Sequence, residues 1–195
     1  MKTLIIGLGN PILGDDGVGW KVAEEVQRRL IADSRWQTAE ASGLSAIGHQ
    51  PSAIEVDCHF GGGLSLMERV VNYDRVLILD AICTRARPPG SLWQFGLGDL
   101  PTRHTVSAHD ADLPTALRVA ETLGAKIPRE IRIIGVEAEN VFEFSEHCSP
   151  PVAAAIPSAS EAVRAQLQLW GYVIPSRSDQ EAICHPPLAP ESFWR

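Results

Sequence analysis

The chain is short of basic residues: 17 Lys and Arg stand against 24 Asp and Glu, a formal net charge of −7 over 195 residues. Nucleic-acid binding needs a basic face to neutralise phosphates, so this balance excludes nucleic acid as an expected partner. No apolar run approaches the roughly 20 residues that span a bilayer. Residues 3–8, TLIIGL, open the chain as a strand-like run and not as a secretory leader, so the expectation is a cytoplasmic protein without a membrane partner. Cysteine is sparse as well. Cys58, Cys83, Cys148 and Cys184 are widely spaced, contain no CxxC pair and read as reduced thiols. Three adjoin a histidine (Cys58-His59, His147-Cys148, Cys184-His185), but the spacing matches no zinc finger or ribbon, and coincidence is the preferred reading. There is no G-x-S-x-G elbow, and no cysteine has an evident activating partner, so nucleophilic catalysis lacks a candidate.

The remaining composition is that of a globular domain, with 45% apolar and 21% charged residues. A chain of this length buries roughly 70% of its unfolded surface, so folding requires neither disulfide nor structural metal. Periodicity then orders the elements. Residues 3–8 read as a buried strand ending on Gly9-Asn10-Pro11, followed by an amphipathic helix with Val18, Val22, Val26 and Leu30 on one side. Residues 54–60 suit a second strand, closed by Gly61–Gly63 and followed by a short helix. Arg75-Val-Leu-Ile-Leu-Asp80 is apolar almost throughout, as in the centre of a parallel sheet. Trp93, Phe95 and Leu97 alternate as in an edge strand. A helix capped by Asp112 runs to Leu123, and residues 131–136 form another buried strand. Ser149-Pro150 reads as an N-cap and first-turn pair opening a final helix to about Trp170, interrupted or kinked near Pro157. Residues 33–53 read only as a long connection. The alternation predicts one α/β domain, a mainly parallel sheet with helices on both faces, over residues 1–171, and an irregular extension over 172–195.

In such sheets a site lies beyond the carboxyl ends of the strands. The segment Gly7-Leu-Gly-Asn-Pro-Ile-Leu-Gly-Asp-Asp-Gly-Val-Gly19 begins like a dinucleotide fingerprint, but its third glycine position holds Ile12. It also begins like a P-loop, yet Asp15 and Asp16 stand where Lys and Ser or Thr belong, and two carboxylates repel a phosphate. Asp16, Asp80 at the end of the central strand, and His109 in Ser107-Ala-His109-Asp110 all fall in loops at one edge. Two carboxylates and an imidazole suit a divalent transition metal and can also move protons. The plain alternatives stay open on spacing alone: helix-dipole stabilisation by Asp15 or Asp16, loop capping by Asp80, and an ordinary polar His109.

The opening Gly7-Leu-Gly9-Asn10, with Gly14-Asp15-Asp16-Gly17-Val18-Gly19, resembles the first motif of the NiFe-hydrogenase maturation endopeptidases. Val76-Leu-Ile-Leu-Asp80-Ala81, Pro88-Pro89-Gly90, Ser107-Ala-His109, Gly135-Val-Glu137 and Ser149-Pro150 follow in that family's order, so the resemblance covers roughly residues 1–170. It implies a twisted five-stranded sheet and a nickel-recognising trio, here Asp16, Asp80 and His109. It implies nickel already placed in the partner, the precursor of a hydrogenase large subunit, from which a C-terminal peptide is removed. The expected reaction is metal-assisted hydrolysis with Asp16 or Asp80 as general base, by a protein acting as a monomer. Two features depart from the family: a long 33–63 segment, and Cys58-His59-Phe60 where a carboxylate usually precedes the glycines, so that Cys58 or His59 can occupy part of the site. The rival readings are a non-catalytic nickel-sensing chaperone of the same precursor, which would leave it uncut, and a nucleotide-binding enzyme, which requires micromolar affinity for ATP or a dinucleotide.

Overall fold

All six residues of β1 (Thr3–Leu8) are buried, because a central strand in a sheet covered on both sides has no polar face to offer water. A computed structural model describes residues 1–32, 37–38, 54–99 and 113–173 of the chain. After β1, a 3-10 turn (Gly14–Gly17) leads into α1 (Val18–Ala32), and a two-residue strand, β2, spans Gln37–Thr38. The chain continues through β3 (Ile54–His59), α2 (Gly63–Val70), β4 (Arg75–Ile82) and β5 (Leu92–Gly96). It ends with α3 (Leu113–Thr122), β6 (Glu130–Glu137), α4 (Pro150–Leu169) and a second short strand, β7 (Tyr172–Val173).

The main sheet has five strands in the order β3-β1-β4-β6-β5. The first four are parallel and β5 runs antiparallel along the edge of β6, so the expected α/β architecture and the edge strand both hold. Side chains alternate across the strands and divide the core into two layers. Ile5, Leu77, Leu79, Ile134 and Val136 meet α1 and α4 through Val22, Val26, Ala159 and Val163. Leu4, Ile6, Leu8, Val76, Ile78 and Ile133 meet α2 and α3 through Leu66, Val70, Leu113 and Leu117.

Details at Pro157 and at Tyr172 differ from the sequence expectation. The helix α4 is continuous through Pro157, not interrupted. Pro157 is exposed, so the carbonyl of Ala153 that loses its N–H partner faces water, while buried Val152, Ala155, Ala159 and Val163 hold the opposite side. Asp16 belongs to the 3-10 turn, and α1 begins two residues later at Val18. Tyr172 and Val173, the first residues of the expected extension, pair antiparallel with Thr38 and Gln37. The buried Tyr172 hydroxyl hydrogen-bonds the Thr3 hydroxyl at 2.8 Å, tying this end of the chain to β1. Residues 174–195, the expected Asp112 cap and most of the 33–53 connection lie outside the described residues. No helix among the described residues is long and apolar enough to cross a membrane.

The helix α1 lies directly on the backbone at the carboxyl ends of β1 and β4. A Cβ at Gly19 would sit 2.3 Å from the Leu79 carbonyl oxygen and 2.5 Å from that of Leu8. Neither atom is the tip of a flexible side chain, so the helix itself must shift to admit a methyl group. Gly19→Ala is therefore expected to destabilise the fold by at least the ~1–3 kcal/mol typical of overpacking, read as a lower urea midpoint.

Candidate active site at the carboxyl edge of the sheet

The order β3-β1-β4 creates a crevice. The chain leaves β1 through α1 toward β3 on one side, and leaves β4 toward β5 and β6 on the other. The carboxyl ends of β1 and β4 therefore flank the point where connections diverge, the preferred ligand position in open α/β sheets. Register pairs Gly7 with Leu79 across these strands, so the residues that follow, Leu8 and Asp80, begin opposite sides of that opening.

The carboxyl end of β1 turns sharply. Gly9 has φ of +107°, and a Cβ there would lie 1.9 Å from the Asp16 carbonyl oxygen, so only glycine lets the strand end pass the 3-10 turn. The half-buried Asp16 accepts a hydrogen bond from the Asn10 backbone N–H at 2.6 Å through Oδ2. Leu13 N–H to the Asn10 carbonyl (3.0 Å) and Asp16 N–H to the Leu13 carbonyl (3.1 Å) complete the turn. Asp80 is buried, 2% exposed, and its Oδ1 accepts from the Ala81 N–H at 2.8 Å. The fold thus places Asp16 in the turn after β1 and Asp80 just past the pairing of β4 with β1. The expected end of β4 at Asp80 is not observed: the strand runs on to Ile82, because Asp80, Ala81 and Ile82 still pair with β6. Two carboxylates supply hard oxygen donors and potential proton acceptors, the chemistry expected of groups facing a divalent cation. His109 lies outside the described residues, as do Ser107 and Asp110. Among the described residues no group of three or more His, Cys, Asp and Glu converges as a metal-holding cluster. The helix α3 that follows His109 returns to the amino end of the sheet, where the Lys126 carbonyl accepts from Asn72 N–H at 2.8 Å and Arg129 N–H donates to the Asp74 carbonyl at 2.9 Å.

Two further buried carboxylates hold the surrounding loops. Asp15, 1% exposed, was readable as a helix-dipole residue, but its role is different. Its Oδ2 accepts from the N–H groups of Glu139 (2.9 Å) and Asn140 (3.1 Å) and from the Ser149 hydroxyl (2.9 Å), and its Oδ1 accepts from the Ser149 N–H at 2.6 Å. Ser149 stands at the N-cap position of α4 but makes no side-chain cap bond; its hydroxyl serves Asp15. Glu137, also 1% exposed, ends β6 and gathers the loop after β4. It accepts from Thr84 N–H (2.8 Å), Thr84 Oγ1 (2.7 Å), Arg85 N–H (2.6 Å) and Trp93 Nε1 (2.8 Å). Sequence reasoning passed over both roles. For Glu137 the available signal was a carboxylate closing an apolar strand, which cannot be buried without several donors.

Among the described residues, Cys58, Cys83 and Cys148 are packing residues. Burial and the charge of Glu24 push the Cys58 thiol up to about 11. Burial and Glu137 raise Cys83, and burial raises Cys148. A thiol that resists ionisation is a poor nucleophile and a poor metal ligand. The doublet Cys58-His59 also splits, because neighbours on a strand point to opposite faces: Cys58 packs against the α1 and α4 layer, while His59 Nε2 is 2.9 Å from Ser65 Oγ at the start of α2. The Cys148 thiol is directed at the Gly14 carbonyl, 3.6 Å away. Cys184 and His185 lie outside the described residues.

This architecture is shared with known proteins. A family model described as hydrogenase maturation protease matches residues 61–166. The hydrogenase 2 maturation protease of Escherichia coli K12 is 26% identical over 173 residues, covering 88% of this chain and 93% of the relative. The hydrogenase expression/formation protein HupD of Thiocapsa roseopersicina is 25% identical over 194 residues, covering 96% and 79% respectively. The solved structure of the hydrogenase maturating endopeptidase HybD from E. coli superposes with a TM-score of 0.69 at 25% identity, over 92% of this chain and 99% of that one.

Asp15→Asn tests the loop clamp. The amide keeps one acceptor oxygen and turns an NH2 group toward donors, leaving at least one buried N–H of Glu139, Asn140 or Ser149 unpaired. The expected cost is about 1–3 kcal/mol, read from urea unfolding, with faster hydrogen exchange at those three amides.

Proposed function

Since the chain belongs to the hydrogenase maturation protease family, we propose that it is the endopeptidase that removes the C-terminal extension of a NiFe-hydrogenase large-subunit precursor after nickel insertion. The observation that carries this reading is the delivery of Asp16 and Asp80 to the carboxyl ends of adjacent β1 and β4. Nickel arrives with the substrate, held in the precursor, and the protein reads it with Asp16, Asp80 and His109. Two oxygen donors and an imidazole are a suitable set for a divalent first-row metal with further positions filled by the precursor.

Such a metal polarises a peptide carbonyl or lowers the pKa of a water. The chain's own contribution is placement and proton transfer. Asp16 is fixed by the Asn10 N–H, and Asp80 is fixed by the Ala81 N–H. A carboxylate oxygen bound to a cation is a poor base, so the second oxygen of Asp16 or Asp80, the one off the nickel, takes the proton from the attacking water. The raised thiols of Cys58, Cys83 and Cys148 support hydrolysis without a covalent cysteine intermediate. The acidic chain works in the cytoplasm as a monomer, with the precursor as its partner and with neither nucleic acid nor membrane.

Mass spectrometry of nickel-loaded precursor incubated with the protein tests this reading. A released C-terminal peptide is expected, and Asp80→Asn and His109→Ala should each slow its release by about 10²-fold or more. Cleavage at the parent rate by both variants overturns the site assignment. A stable complex with no released peptide identifies a chaperone and overturns the protease reading.

A further inference from the structure

On the loop after β1 and the loop after β6, three large apolar side chains face water: Ile12 is 47% exposed, Phe142 75% and Phe144 85%. They come from two loops that the backbone joins. Ser145 N–H donates to the Ile12 carbonyl at 3.0 Å and Gly14 N–H donates to the Ser145 carbonyl at 2.7 Å, forming a bridge between Leu13 and Ser145. This places Phe144 alongside Ile12, in the loop that carries Asp16. The loop bearing the phenylalanines is held from within, since Asn140 Oδ1 accepts from the N–H groups of Phe142 (3.0 Å) and Glu143 (3.3 Å). Asp15 grips its start through Glu139 and Asn140. The two phenyl rings are therefore presented on a fixed backbone and withheld from the core.

The same loop is acidic. Glu139, Glu143 and Glu146 are exposed, and residues 139–149 contain no Lys or Arg. Lys21 donates to the Glu146 backbone carbonyl, 2.8 Å from its Nζ. Apolar side chains alternating with carboxylates on a rigid loop complement a chain segment that pairs apolar with basic residues. We propose that Ile12, Phe142 and Phe144, with Glu143 and Glu146, form the docking surface for such a segment of the hydrogenase precursor and hold it next to Asp16. The proposal rests on the endopeptidase reading above and deepens it: the carboxylates read the metal, and this loop binds the polypeptide around it.

The test compares Phe142→Ser/Phe144→Ser and Glu143→Lys with the parent, using recombinant nickel-loaded precursor as the probe. Binding is measured as the protein concentration that half-saturates single-turnover cleavage of the precursor, and KM and kcat are measured at steady state. The loop variants should bind roughly tenfold or more weakly, with KM rising more than kcat falls. Their melting temperatures should match the parent, because the altered side chains are exposed. If the parent cleaves and the loop variants bind and cleave equally well, the docking surface is overturned and the endopeptidase reading stands. If the parent neither binds nor cleaves the precursor, both fall. If sedimentation shows a parent dimer that the loop variants lose while precursor binding is unchanged, the surface serves a second copy of the chain and the proposal is wrong.

Discussion

The Asp15 carboxylate accepts four hydrogen bonds, from the backbone of Glu139, Asn140 and Ser149 and from the Ser149 hydroxyl. Through them it joins the loop after β1 to the loop between β6 and α4, segments more than a hundred positions apart in the chain. A buried carboxylate is costly unless several donors surround it, and these donors are backbone groups that themselves need partners. The interaction therefore settles two demands together. It also fixes the frame for Asp16, the next residue, whose own carboxylate closes the turn on Asn10.

Glu137 repeats the device across the sheet, where it gathers Thr84 and Arg85 beyond β4 and Trp93 in β5. The carboxyl edge thus contains acidic groups of two kinds. Asp15 and Glu137 spend their oxygens on the protein's own N–H and O–H groups and set loop positions. Asp16 and Asp80, which also accept backbone N–H groups, lie beside the point where the connections from β1 and β4 diverge. The close contact of Gly19 with the Leu8 and Leu79 carbonyls keeps α1 and both strand ends in fixed relation, so the crevice is bounded by backbone rather than by flexible side chains.

Much of the fold was legible because burial leaves a periodic trace. Residues 3–8, 75–80 and 131–136 read as buried strands, and they lie within β1, β4 and β6. The stripe of Val18, Val22 and Val26 packs as the pattern required. Of the two outcomes expected at Pro157, interruption or kink, interruption does not occur: α4 runs through it with the proline on the exposed side, where the lost hydrogen bond faces water. Ser149 was placed correctly at a helix start, but its hydroxyl is used by a residue 134 positions away, which no local pattern encodes. Tyr172 was grouped with the tail because prolines follow it, yet its hydroxyl reaches Thr3 across the sheet.

The candidate site divides the same way. Sequence alone determined the residue types and their order: two carboxylates after apolar strands, glycines where the chain must turn, and a motif set that resembles one family. It also determined that the cysteines lacked partners for nucleophilic work. Only the tertiary structure decided which of the adjacent Asp15 and Asp16 is internal and which is placed at the crevice. In a 3-10 turn successive side chains point in different directions, and the distant loop at residues 139–149 supplies donors on one side only. Tertiary structure likewise decided that Phe144 lies beside Ile12, since that neighbourhood depends on a backbone bridge between residues that are remote in the chain. Local patterns record how each segment meets the core, but the assignment of a buried charge depends on which distant donors the fold brings to it.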